Sequence, residues 1–140
     1  VSPAVEITGI NTATAISITG GEYSIDGGGF TTAAGTINNG QTLTIRTIAS
    51  DKTNTPIDVT VTVGGVSATF TVTTLADVTP DAFLFTAKTD VAVNTEETSE
   101  PVTIKGIDIP VPVSITGGLY SINGGEFTAS AGTVSAEQTI

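Results

Sequence analysis

Ile16-Ser17-Ile18-Thr19-Gly20-Gly21-Glu22-Tyr23-Ser24-Ile25-Asp26-Gly27-Gly28-Gly29-Phe30 returns further along the chain as Val113-Ser114-Ile115-Thr116-Gly117-Gly118-Leu119-Tyr120-Ser121-Ile122-Asn123-Gly124-Gly125-Glu126-Phe127. Gly9 and Gly106, Gly20 and Gly117, Phe30 and Phe127, and Gly35 and Gly132 all lie 97 residues apart, so the register holds without an insertion across residues 1 to 43. A period of that size is about one small domain. The stretch itself is written for β structure. Ile16 and Ile18 alternate with polar neighbours, Gly20-Gly21 interrupts the strand as a bulge or sharp bend would, and Tyr23 and Ile25 resume the alternation. Asp26-Gly27 then supplies the two positive-φ positions that a tight hairpin turn requires, and the second copy keeps that chemistry as Asn123-Gly124.

The same signals continue on either side. Val5 and Ile7 precede the stretch as a short strand, and Leu43 and Ile45 alternate with Thr44 and Arg46 after it. Asp51 to Pro56 reads as a polar loop. Ile57 to Val63 and Val66 to Thr73 read as a hairpin across Gly64-Gly65, with Val59, Val61, Phe70 and Val72 inward and a row of threonines outward. Phe30 and Phe127 are expected in the core, as large side chains in a domain otherwise built from Ile, Val and Ala. No segment shows a sustained helical period. The fold class expected is all-β: an immunoglobulin- or fibronectin III-like Greek-key sandwich in tandem repeats of 97 residues, with a closed barrel as the structural alternative.

The repeat also divides the chain. Residues 1–76 read as one repeat lacking its first strand, 77–81 as a stiff acidic linker containing Pro80, and 82–140 as the N-terminal part of the next repeat. That second part is expected to open with a strand carrying Phe83, Phe85, Val91 and Val93. Both chain ends are expected to be cuts in a longer polypeptide. A sandwich without its first strand leaves an edge to which another strand adds. Either that strand lies upstream in the natural chain, the preferred reading, or a neighbouring copy supplies it.

Composition narrows the chemistry. Fourteen acidic residues against 4 basic ones give a formal charge of −10, a surface that repels nucleic acid and anionic lipid. No apolar run is long enough to cross a bilayer as a helix. With no Cys and no His, a Ser or Cys catalytic triad and the usual zinc, copper, haem and iron–sulfur ligands are all missing, and only oxygen ligands remain. Those suit calcium. Asp77 and Asp81, with Asp51 before them and Asp108 after, are the candidate ligands for an interdomain calcium, although no dense Asp-x-Asp-x-Asp run accompanies them. No cofactor is required by any motif, and no residue set supports an enzyme.

The run Ser-Ile-Thr-Gly-Gly-x-Tyr-Ser-Ile-(Asp/Asn)-Gly-Gly-x-Phe-Thr, followed by Ala-Gly-Thr and closed by Val63-Gly64-Gly65-Val66-Ser67-Ala68-Thr69-Phe70-Thr71-Val72-Thr73-Thr74, resembles the immunoglobulin-like repeats of large bacterial cell-surface and secreted proteins. The resemblance covers essentially the whole chain and implies an extracellular, elongated, tandem protein of adhesin or filament type. Such modules serve as spacers in adhesins, filaments and secreted enzymes alike. The expected role is therefore a structural rod or spacer whose partners are neighbouring copies of the repeat. Two alternatives follow: a filament subunit that polymerises by strand exchange between chains, and a carbohydrate-binding or adhesive module, for which only Tyr23, Tyr120 and the five Phe are available as stacking platforms.

Overall fold

The computed structural model describes all residues from Val1 to Ile140. The chain is all-β, without a helix, and separates into two compact units, Val1–Leu75 and Ala76–Ile140.

Unit 1 contains seven strands: β1 (Val5–Glu6), β2 (Thr14–Thr19), β3 (Glu22–Ile25), β4 (Gly35–Ile37), β5 (Thr42–Arg46), β6 (Pro56–Val63) and β7 (Val66–Thr73). They form a three-stranded sheet in the order β1-β5-β3 and a four-stranded sheet in the order β4-β2-β6-β7. All pairings are antiparallel. The two sheets share one core. Ile16, Ile37, Val59 and Val61 come from the larger sheet and Tyr23, Leu43 and Ile45 from the smaller one. These are the inward residues of alternating strands, and full burial of each aliphatic side chain contributes roughly 1.5–3 kcal/mol.

Two sequence signals fix the path of the chain. At Asp26-Gly27 both residues have positive φ, 50° and 72°, and Gly28 N–H donates to the Ile25 carbonyl at 2.9 Å, closing the two-residue turn that the sequence predicts. Gly20-Gly21 is where the chain leaves the four-stranded sheet at the end of β2 and enters the three-stranded one as β3. The bend expected there is thus a change of sheet.

Unit 2 has the strands β8 (Val111–Val113) and β9 (Gly132–Val134), paired with each other, and a core of Ile104, Ile107, Val111 and Val134. Many hydrogen bonds of unit 1 have counterparts 97 residues on. Ile7 N–H donates to the Gln41 carbonyl, and Ile104 N–H to that of Gln138, each at 2.9 Å. The Tyr23 hydroxyl donates to the Ala33 carbonyl at 2.9 Å and the Tyr120 hydroxyl to that of Ser130 at 2.8 Å. Asn123 and Gly124 repeat the positive φ of the tight turn, at 52° and 70°.

Several expectations are corrected. Residues 82–93 form no strand, and Phe83, Phe85, Val91 and Val93 are all exposed. A strand needs a partner edge, and the 140 residues hold no second copy of the β6–β7 hairpin over which this segment would lie. Phe127 is 53% exposed for the same reason. Phe30 is half-buried outside the core cluster, with the Arg46 guanidinium stacked over its ring at 4.2 Å. Residues 77–81, read as a linker, belong to unit 2 and are hydrogen-bonded to it.

Candidate functional site

The four aspartates proposed as calcium ligands have different surroundings. Asp51 is exposed in the loop before β6 of unit 1, and the other three lie in unit 2. Asp77 and Asp108 are brought together: Asp77 N–H donates to Asp108 Oδ2 and Asp108 N–H to the Asp77 carbonyl, both at 2.8 Å. Asp77 Oδ1 also accepts from Thr79 N–H at 2.9 Å, a local turn made by the aspartate side chain. Asp81 N–H donates to the Lys105 carbonyl at 2.9 Å, and its carboxylate lies against Gly106. Asp77 and Asp81 thus fasten residues 77–81 to 105–108. No three or more Asp, Glu, His or Cys side chains gather closely enough to hold a metal ion. The oxygen donors suit calcium in kind, but the Asp77–Asp108 pair does not make a cage for an ion that takes six to eight oxygens.

The better-defined carboxylate site is Asp26, at the tight turn. Its Oδ1 accepts from Thr42 N–H at 2.8 Å and from the Thr42 hydroxyl at 3.2 Å, and its Oδ2 accepts from Gln41 Nε2 at 2.8 Å. These bonds, the Thr42 backbone N–H foremost, hold the Asp26 carboxyl below its ordinary pKa. In unit 2 the neutral Asn123 accepts the corresponding bond from Thr139 N–H at 2.9 Å. A lowered folded-state pKa means that the stabilisation is complete above the unfolded value, near pH 4, and disappears as pH falls through the folded value. Wild type is therefore expected to melt above Asp26→Asn at neutral pH, with the gap closing below pH ~4. Paired thermal melts between acid and neutral pH check this, and a gap that stays constant across that range contradicts it.

Each unit also carries an apolar groove. In unit 1 a groove of about 660 Å³ runs between the β1 side of the small sheet and β7 of the large one, over Val5, Leu43, Val61, Ala68 and Phe70. In unit 2 a groove of about 790 Å³ is lined by Phe83, Phe85, Val113, Ile115 and Phe127 among others. Phe83 and Phe85 pack on each other edge to face, with centroids 6.1 Å apart and ring planes at 83°. Beside them Lys88 Nζ pairs with Glu97 Oε2 at 3.1 Å, a bond that lowers the Glu97 pKa. The sequence places Phe83 and Phe85 in a strand, whereas they form an exposed aromatic pair. The available signal was the adjacency of Phe83 and Phe85 on one side of an extended segment. No protein-family model, no curated protein and no solved structure matches this chain.

Proposed function

We propose that the chain is a structural repeat of an extracellular bacterial surface or filament protein, a rod-forming spacer that presents or assembles rather than catalyses. Unit 1 is read as an immunoglobulin-like Greek-key sandwich lacking its first strand and unit 2 as the N-terminal part of the next one, recurring every 97 residues along the natural polypeptide. The observation that carries this reading is that one set of turn, bridge and tyrosine hydrogen bonds appears twice at a constant spacing. A scaffold reproduced in that detail, with its outward positions given to threonine and acidic residues, suits a module valued for its shape. The acidic surface favours solubility and keeps neighbouring rods apart.

The test is small-angle scattering on chains in which residues 1–97 are concatenated in increasing copy number. The maximum dimension is expected to grow linearly with each added copy. Growth that levels off, as in a collapsed or freely jointed chain, overturns the rod.

A further inference from the structure

The chain passes from one unit to the next with almost none of its length free. On the unit 1 side, Thr74 N–H donates to the Thr55 carbonyl at 3.2 Å and the Thr74 hydroxyl to the Lys52 carbonyl at 2.6 Å. The Leu75 carbonyl then accepts from Asn54 N–H at 2.9 Å. On the unit 2 side, Asp77 is held through both of its backbone groups, its N–H by Asp108 Oδ2 and its carbonyl by Asp108 N–H. Only Ala76 stands between the last residue bonded into unit 1 and the first bonded into unit 2.

Beyond Asp77 the chain stays on unit 2. Residues 77–81 run antiparallel to 105–108, bonded at one end by the Asp77–Asp108 pair and at the other by Asp81 N–H to the Lys105 carbonyl. The residues between suit that path. Thr79 N–H is taken by Asp77 Oδ1, and Pro80 has no N–H to satisfy and keeps Thr79 extended. Gly106 has no side chain to hold Asp81 away: a Cβ there would stand 2.6 Å from Asp81 Oδ1 and 2.8 Å from Asp81 N. At the repeat position of Asp108 the first copy has Asn11, whose side-chain oxygen is an acceptor of the same reach.

We propose that residues 77–81 are a strap that sets the length of the joint between modules, and that the Asp108 side chain keeps the strap closed. Closed, the joint is Ala76, a single residue with two soft dihedrals and a reach of at most about 3.6 Å. Open, it is residues 76–81, whose six residues reach about 20 Å. The difference decides whether successive modules keep a common direction or bend freely at each joint. Asp108 is the controlling group because it takes Asp77 N–H, the first donor after the joint, and a carboxylate acceptor makes a stronger bond than a neutral one. For rods the inference rests on the repeat reading, but its readout is the amides of residues 74–81, so it fails separately from that reading.

The experiment is NMR relaxation and amide hydrogen exchange on the full chain at neutral pH. In wild type the amides of Thr74, Leu75, Asp77, Val78, Thr79 and Asp81 are expected to have order parameters of about 0.85, the value of rigid backbone. Asp108→Ala is expected to lower those of Asp77 to Thr79 below about 0.6 and to speed exchange of the Asp77 amide about tenfold or more. Asp108→Asn keeps an acceptor and is expected to stay close to wild type. Asp77→Pro deletes the donor of the same bond without touching residues 105–108, and is expected to loosen Val78 and Thr79 as Asp108→Ala does. Unchanged exchange at the core amides of Ile104, Val111 and Val134 establishes that unit 2 remains folded. Wild-type amides of 77–81 that are already mobile, order that survives both Asp108→Ala and Asp77→Pro, or an Asp108→Asn as mobile as Asp108→Ala each overturns the strap. A strap that passes while the concatenated chains level off in size overturns the rod alone.

Discussion

Ile16→Ala is expected to cost unit 1 about 2–5 kcal/mol, the range for removing a fully enclosed aliphatic side chain, while the equivalent Val113→Ala in unit 2 costs about 1 kcal/mol or less, as partly solvated sites do. Ile16 is 1% exposed, and its strand lies between two others, with Ile16 opposite Val63 of β6 on one side and Gly35 of β4 on the other. Truncation there leaves a void that close-packed neighbours cannot fill, so the lost burial and the cavity both count. Val113 occupies the same place in the repeat, and β8 keeps the β4-like partner, with Val113 opposite Gly132 of β9. It has no counterpart of β6, is only half-buried, and borders an open groove where water replaces the missing methyls. Urea titration followed by amide NMR signals assigned to each unit separates the two costs. Equal losses in the two units would mean that the hairpin does not make the difference between them.

The contrast also explains which features the sequence made legible. Wherever a feature is local, the residues state it: Asp26-Gly27 and Gly64-Gly65 name their turns, and the alternation from Ile57 to Thr73 gives both strands and their faces. Strand β4 escapes notice because its three residues are too few to show a period. Phe30 and Phe127 look like core residues by type, yet one lies under Arg46 and the other lines a groove. Residues 82–93 have the composition of a strand, but alternation specifies a face and not whether a partner is present to receive it. The acidic candidates fail to declare their arrangement for a related reason. Asp77 meets Asp108 across 31 residues, a pairing set by how the chain returns and not by spacing.

Gly21→Ala is expected to destabilise unit 1 by about 1–3 kcal/mol or more, the cost of forcing atoms into a packed site, and Gly118→Ala to leave unit 2 within about 0.5 kcal/mol of wild type or slightly more stable. A Cβ on Gly21 would stand 2.6 Å from the Arg46 carbonyl oxygen and 2.9 Å from Val59 Cγ1. Both obstacles belong to the sheets between which the chain crosses, Arg46 on β5 and Val59 on β6, so relief requires the sheets to separate. The preceding Gly20 is held at φ +85°, where its own Cβ would meet the Asp58 carbonyl oxygen at 2.5 Å, so the chain cannot shift its bend one residue back. At Gly118 the nearest atom to an added Cβ is Ile115 Cδ1 at 3.8 Å, an ordinary contact. The same Gly-Gly pair thus meets a steric demand in one unit that is absent from the other, because only unit 1 has both the Arg46 end of β5 and β6 lying against the bend. Urea midpoints of the two variants, read unit by unit, measure this. If Gly118→Ala proved as costly as Gly21→Ala, the second glycine would be required by the bend itself, and the packing of β5 and β6 against it would not be the reason it is glycine.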